Sequence, residues 1–275
     1  MRLSVLALLA AALLTGFRVR PAEASLQTAT SSNWAGYAAS GARFRKVSAN
    51  WTVPTATCTS GSDAYSAVWV GLGGFDTRSQ GLEQTGTDAN CSSSGRASYR
   101  VWYQILPDAA HSVHTLKVSS GDKLSASVTV SGHDVTFRVR DLTTGGSYST
   151  TKQVANPDVS SADWIVEAPS SCGSSNDCRT LPLSNFGTVG FTHASATTAK
   201  GKTGTISSSR WTSTKITLGQ TSRRQARFGA VAGSATPSSL GSGGSAFSVD
   251  YAESTGSDGG GQPITFPGGS ASPSG

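Results

Sequence analysis

From residue 47 to residue 251 the chain repeats one pattern. Short runs rich in Val, Ile, Thr, Tyr, Phe and Trp alternate in polarity, and each is closed by Gly, Ser, Asn or Asp. A period of two sends successive side chains to opposite faces of an extended strand, and a helix cannot satisfy it. The runs fall at 47–53, 65–72, 99–106, 113–119, 124–130, 135–140, 164–168, 188–192, 211–218 and 246–251, and helix signals are almost absent. Gly121-Asp122, Gly132-His133-Asp134 and Gly145-Gly146 have the composition of tight hairpin turns. The sequence therefore predicts an all-β class. About 225 residues can enclose one full core, and this many strands predict two packed antiparallel sheets, a β-sandwich.

The two ends differ from the middle. Residues 1–24 have the form of a secretory signal: Met1-Arg2 is the positive end, Leu3 to Leu14 the apolar run, and Ala22-Glu23-Ala24 a small-x-small cleavage site before Ser25. The run is too short for a membrane-spanning helix, and no other segment is apolar enough. A secreted, extracellular protein with no membrane association after signal removal is expected. The basic residues Arg18 and Arg20 follow the apolar run and blur the cleavage position. One domain is expected over 25–252, followed by a disordered Gly/Ser/Pro-rich tail over 253–275. The formal charge of +6 for the whole chain falls to about +4 once Arg2, Arg18, Arg20 and Glu23 leave with the signal. The remaining Lys and Arg are scattered, so a soluble basic surface is expected and no nucleic-acid partner.

The chain has four cysteines. In an exported protein these read as disulfides, which allow three pairings. Cys172 with Cys178 would close a short polar loop and leave Cys58 for Cys91. No Cys-x-x-Cys spacing supports a metal or redox centre.

Alternation also separates faces. Over 99–105, Tyr99, Val101, Tyr103 and Ile105 form the more apolar side, leaving Trp102 and Gln104 opposite. Over 66–72, Val68, Val70 and Leu72 read as core, with Trp69 opposite. Over 163–168, Trp164 and Val166 read as core, with Asp163, Ile165 and Glu167 opposite. If these strands are neighbours, two Trp, a Gln and a Glu line one polar-aromatic groove. The plain alternative is a solvated outer face with exposed Trp.

Several blocks decide between these readings. They are Ser32-Asn33-Trp34-Ala35-Gly36-Tyr37, Val47 to Pro54, Trp69-Val70-Gly71-Leu72-Gly73, Leu82-Glu83-Gln84-Thr85-Gly86-Thr87-Asp88, Tyr99 to Gln104, Ala162-Asp163-Trp164-Ile165-Val166-Glu167 and Phe186-Gly187-Thr188-Val189. In this order and spacing the chain resembles the glutamic peptidases (eqolisins, peptidase family G1), in the shorter form found in bacteria. The resemblance implies a jelly-roll, concanavalin A-like sandwich of two large curved antiparallel sheets with a substrate cleft on the concave face. Gln84 and Glu167 align with the catalytic pair, and Trp34, Trp69, Trp102, Gln104 and Asp88 with positions that shape or brace the cleft.

In that family Glu is the general base and acid acting on water, and Gln stabilises the oxyanion. The implied activity is pepstatin-insensitive acid endoproteolysis of proteins or peptides. It requires no cofactor and no metal, and a monomer is the default. An unperturbed Glu, with a pKa of about 4.3, already serves as a base in moderate acid, and Gln does not titrate. Two positions depart from the fungal members, which carry acids where this chain has Gln104 and Gly73. A broader or higher acid optimum is therefore expected. Residues 25–31 also leave no space for the long fungal prosegment.

Other chemistries find less support. His111 and His114 share no helical face, so surface positions are expected rather than metal ligation. No Gly-x-Ser-x-Gly elbow and no aspartic-peptidase Asp-Thr-Gly or Asp-Ser-Gly occurs, and the Gly-rich stretches lack the Lys-Ser/Thr ending of a phosphate loop. Glu83 is adjacent to Gln84, so on a strand only one of them faces the groove. If Glu83 did, Glu83 and Glu167 could form the carboxylate pair of a glycoside hydrolase. A carbohydrate-binding module would use the Trp residues without catalysis.

Overall fold

The computed structural model describes residues 26–76, 79, 81–172, 178–219 and 233–253. The expected signal segment, 1–24, and all but the first residue of the expected tail, 253–275, lie outside this set. Within it the chain is all strand, turn and loop, and the two expected layers are present.

One layer contains β3 (Phe44–Thr52), β8 (Lys123–Ser131), β9 (Asp134–Asp141), β10 (Ser147–Gln153), β14 (Thr188–Thr198) and β18 (Phe247–Ala252). The other contains β2 (Trp34–Ser40), β4 (Ala67–Gly73), β5 (Leu82–Cys91), β6 (Ala97–Ile105), β7 (His111–Val113), β11 (Ser161–Glu167), β16 (Thr212–Leu218) and β17 (Ser234–Pro237). Pairing between β17 and β18 makes the two layers halves of one folded-over sheet of 16 strands. β1 (Leu26–Ser31) adds to β16 in parallel, against the antiparallel rule elsewhere, and β15 (Thr203–Thr205) adds to β14. A separate hairpin joins β12 (Ser170–Cys172) to β13 (Cys178–Thr180).

The main core lies between the layers. Val68, Val70 and Leu72 of β4, Val101 and Tyr103 of β6, and Trp164 and Val166 of β11 meet Trp51, Val128, Phe137 and Phe191 from the opposite layer. Alternation on β4, β6 and β11 thus separated core from non-core residues as expected. A second apolar cluster, with Trp34, Trp69, Leu82, Trp102, Ile165 and Ile216, occupies the other face of the same strands. This second face is where the site lies.

One strand expectation needs correction, and one strand had no sequence signal. Over 113–119 only Val113 closes a strand. Leu116 and Val118 are buried in the core, but the backbone turns there and Ser119 N donates to Asp122 Oδ2 at 2.7 Å. Their spacing of three and two residues fits an irregular segment dropping apolar groups into the core. Conversely, β10 has no apolar alternation because it is a largely exposed edge strand of Ser, Thr, Lys and Gln.

Cys58 and Cys91 form a disulfide, tying the segment after β3 to the end of β5. Cys178 is disulfide-bonded, and the hairpin register sets Cys172 opposite it.

Candidate active site

Strand register arranges the second face in transverse rows. In one, Arg100, Asp88, Ala67, Glu167 and Trp34 lie side by side across β6, β5, β4, β11 and β2. The next contains Trp102, Gly86, Trp69, Ile165 and Gly36, and the third Gln104, Gln84, Gly71, Asp163 and Ala38. Rows are two residues apart, about 7 Å along the strands. All seven residues singled out from the sequence therefore share one face. Gln84 and Glu167 are two rows and two strands apart, with Trp69 between them.

Glu167 is fully buried. Its Oε2 accepts the indole N–H of Trp69 at 2.8 Å, and its Oε1 receives a longer contact of 3.5 Å from Asn33 Nδ2. Asn33 is held in that orientation because its Oδ1 accepts the Ser31 hydroxyl at 3.0 Å, while the same Ser31 oxygen accepts the N–H groups of Asn33 and Trp34. Both oxygens thus receive N–H donors, which stabilise the ionised form when it is present.

Glycine makes the Trp69 contact possible. A Cβ on Gly86 would lie 2.1 Å from Val68 O and 2.6 Å from Trp69 Cβ, so only glycine fits opposite that indole. The far edge of the ring lies over Gly71, where an added Cβ would meet Trp69 Cζ3 at 2.9 Å and Gln84 Cβ at 3.2 Å. One indole thus spans from Gln84 to Glu167. Trp34 packs edge-on against it, with ring centroids 4.9 Å apart.

The orientation of Gln84 follows from its neighbours. A backbone carbonyl only accepts, so Gln104 must present Nε2 to Asp108 O, at 2.7 Å. Gln104 Oε1 then faces Gln84, which donates from Nε2 at 2.9 Å. Gln84 Nε2 retains a second N–H.

Two further carboxyls share the face. Burial pushes Asp88 up to about 6 despite the opposing effect of Arg100, whose Nη2 lies 3.1 Å from Asp88 Oδ2. The Trp102 indole N–H also favours the Asp88 carboxylate electrostatically, although it makes no hydrogen bond of ordinary geometry. Asp163 is fully buried and is pushed well above the usual carboxylate range by burial, with Asp158 acting in the same direction.

Glu83 faces the other way. Its neighbour Thr87 accepts the Trp51 indole N–H on the main-core side, and Glu83 shares that side of β5. Its Oε1 accepts Asp158 N–H at 3.1 Å, and burial raises its carboxyl to about 8. Glu83 and Glu167 therefore lie on opposite faces. His111 and His114 are exposed at the sheet edge, where His111 stacks on Tyr103. A groove of about 450 Å³ opens beside Ser161, at the end of the second face, between Ser40, Phe75 and Asp76.

Asn33 and Ser31 were not singled out from the sequence as site residues. Asn33 stands within the Ser32 to Tyr37 block, immediately before Trp34, but no face could be assigned there because the stretch is buried on both sides.

A model of the Peptidase A4 family matches residues 32–231. The chain belongs to that family. Aspergillopepsin-2 of Aspergillus niger is 33% identical over 189 residues, covering 61% of this chain and 64% of that protein. The chain thus spans a little under two thirds of that relative's length. Among solved structures, scytalido-glutamic peptidase with a transition-state analogue inhibitor superposes with a TM-score of 0.63 at 27% identity, covering 80% of this chain and 98% of the other. Aspergilloglutamic peptidase from Aspergillus niger gives 0.52 at 29%, covering 69% and 99%. SCP-B, an eqolisin in complex with the tripeptide Ala-Ile-His, gives 0.57 at 25%, covering 80% and 98%.

Proposed function

We propose that this A4-family chain is a secreted, pepstatin-insensitive glutamic endopeptidase that cleaves proteins or peptides in acid, with Glu167 and Gln84 as its catalytic pair. The observation that carries this reading is the geometry around Trp69, which sets a buried, donor-supported carboxylate and an oriented amide on one face.

Glu167, ionised, accepts a proton from a water as its oxygen attacks the scissile carbonyl carbon. The carbonyl oxygen gains the negative charge, and the free Nε2–H of Gln84 donates to it. Glu167 then passes the proton to the departing amine nitrogen, the C–N bond breaks, and the carboxylate is regenerated. Trp69 and Asn33 keep Glu167 in place through the cycle. With Asp88 and Asp163 neutral in acid, Glu167 is the remaining carboxylate on its face, beside the Arg100 guanidinium at the far end of the same row, which suits a base that must accept a proton.

The paired-carboxylate reading is not supported by this arrangement: a carboxylate-pair glycosidase needs Glu83 and Glu167 on one face, and they are on two. The test is to offer the purified chain, with pepstatin, an unfolded protein and a panel of polysaccharides from about pH 2 to about pH 7. Pepstatin-resistant protein cleavage is expected, and polysaccharide hydrolysis without proteolysis would overturn the proposal.

A further inference from the structure

The third row of the second face extends one strand beyond Ala38, to Thr214 of β16. Thr214, Asp163 and Gln84 thus stand in line, separated only by Ala38 and Gly71. Each has a buried polar atom with no hydrogen-bond partner: Thr214 Oγ1, Asp163 Oδ1 and Gln84 Oε1. Buried polar atoms are normally paired, so three in one row need an account.

The chemistry of the row supplies one. Asp108 O fixes Gln104, Gln104 fixes Gln84, and Gln84 is left with an oxygen that can only accept. Across Gly71 the next side chain is Asp163. Its Oδ2 accepts the Ser161 hydroxyl at 2.9 Å, so a proton on this carboxyl belongs on Oδ1. Two strand spacings, about 10 Å between Cα atoms, are within reach of an Asp and a Gln, directly or through one water. Gln84 Cβ stands beside the bare Cα of Gly71, where the edge of the Trp69 ring and Leu82 Cδ1 also pack.

We propose that Asp163 is a positioning residue for Gln84: as a neutral carboxylic acid it donates from Oδ1 to Gln84 Oε1 and so keeps the free Nε2–H of Gln84 aimed at the substrate. This rests on the assignment of Gln84 as the oxyanion donor. The hydrogen bonds of the row then run in one direction, from Asp163 through Gln84 and Gln104 to Asp108 O. Thr214, which both donates and accepts, closes the far end.

The surroundings favour the neutral acid. Burial raises the Asp163 carboxyl well above its usual range, and Asp158, in the connection from β10, adds to the effect. Glu167 is the other ionisable group on this face of β11. Strands β2, β4, β5 and β16 contribute no ionisable side chain to this row or to the rows beside it. The proposal also supplies what the catalytic pair lacks. Glu167 must be ionised and Gln84 never titrates, so neither would switch activity off as pH rises. Asp163 would, because its ionised form turns an acceptor towards an acceptor.

The test compares wild type, Asp163→Leu and Asp163→Asn, all checked for a wild-type melting curve. Asp163→Leu should lower kcat about 30-fold, with KM within about threefold, as expected for loss of one oriented donor. Asp163→Asn carries a permanent N–H in the same place, so it should restore most of kcat in acid. Its alkaline limb should lie at least about one pH unit above that of wild type, the behaviour of a donor that cannot ionise. An Asn variant with the wild-type alkaline limb, or a Leu variant with wild-type kcat, overturns the proposal. An activity-independent readout separates this from the peptidase assignment. The wild-type minus Asp163→Asn infrared difference spectrum at about pH 6, where an ordinary carboxyl is ionised, should show a carboxylic-acid band, because the raised carboxyls of Glu83 and Asp88 are common to both proteins and cancel. The absence of that band overturns the neutral Asp163 even if proteolysis is found. Its presence in a chain that cleaves no protein upholds the neutral acid and instead removes the peptidase assignment.

Discussion

Trp69 donates its indole N–H to Glu167 Oε2 at 2.8 Å, while the far edge of the same ring lies over Gly71 beside Gln84. Trp69→Phe keeps the ring and removes the donor. A hydrogen bond to a charged group contributes about 1.5–3 kcal/mol, so kcat should fall roughly 10- to 100-fold with little change in Tm. Steady-state kinetics beside a thermal melt would check this.

Gly86 has no room for a side chain, because a Cβ would strike Val68 O at 2.1 Å and displace Trp69. Gly86→Ala should destabilise the fold by roughly 1–3 kcal/mol and lower activity in the fraction that still folds. Denaturant unfolding followed by Trp fluorescence would report both the loss of stability and the moved ring.

Period-two alternation made β4, β6 and β11 legible because each buries one face in the main core and turns different chemistry to the other. It placed Trp69, Trp102 and Glu167 on the second face before any register was known. It could not choose between Glu83 and Gln84, since that choice depends on how β5 pairs with β4 and β6. The rows themselves, and so the alignment of Asp163 with Gln84, were equally invisible. Asn33 was hidden because β2 is buried on both faces and has no alternation to read. β10 was hidden for the opposite reason, being almost all polar. The glycines at 71 and 86 are close-approach points around one indole, a role no strand pattern shows.

Gln104 links Gln84 to Asp108 O. Gln104→Glu would still accept from Gln84, but it could donate to Asp108 O only when protonated. The alkaline limb of kcat should therefore move to lower pH than in wild type. A pH–rate profile of the two proteins is the measurement.

Stability should also depend on pH. Burial raises the Glu83 carboxyl from 4.5 to about 8, so between these values the folded chain holds a proton that the unfolded chain releases. The native state binds more protons there, and stability falls as pH rises through the window, by at most about 1.4 kcal/mol per pH unit from this group. Asp88 adds to the trend between 3.8 and about 6. Glu83→Gln should match wild type near pH 4 and melt higher than wild type near pH 7, as shown by calorimetry at both values.

The Cys58–Cys91 disulfide closes a separation of 33 residues. Replacing both with serine should cost about 3–4 kcal/mol on chain-entropy grounds, read as a lower Tm with the acid kcat retained in the folded fraction.

The central claim is that Glu167 is the base. Its most direct test is Glu167→Gln, purified and shown by melting and near-ultraviolet circular dichroism to be folded, assayed in acid beside wild type. The substitution removes the proton acceptor and leaves the shape, so the rate should drop by about a thousandfold or more. A folded Glu167→Gln protein that cleaves within about tenfold of wild type would contradict the account.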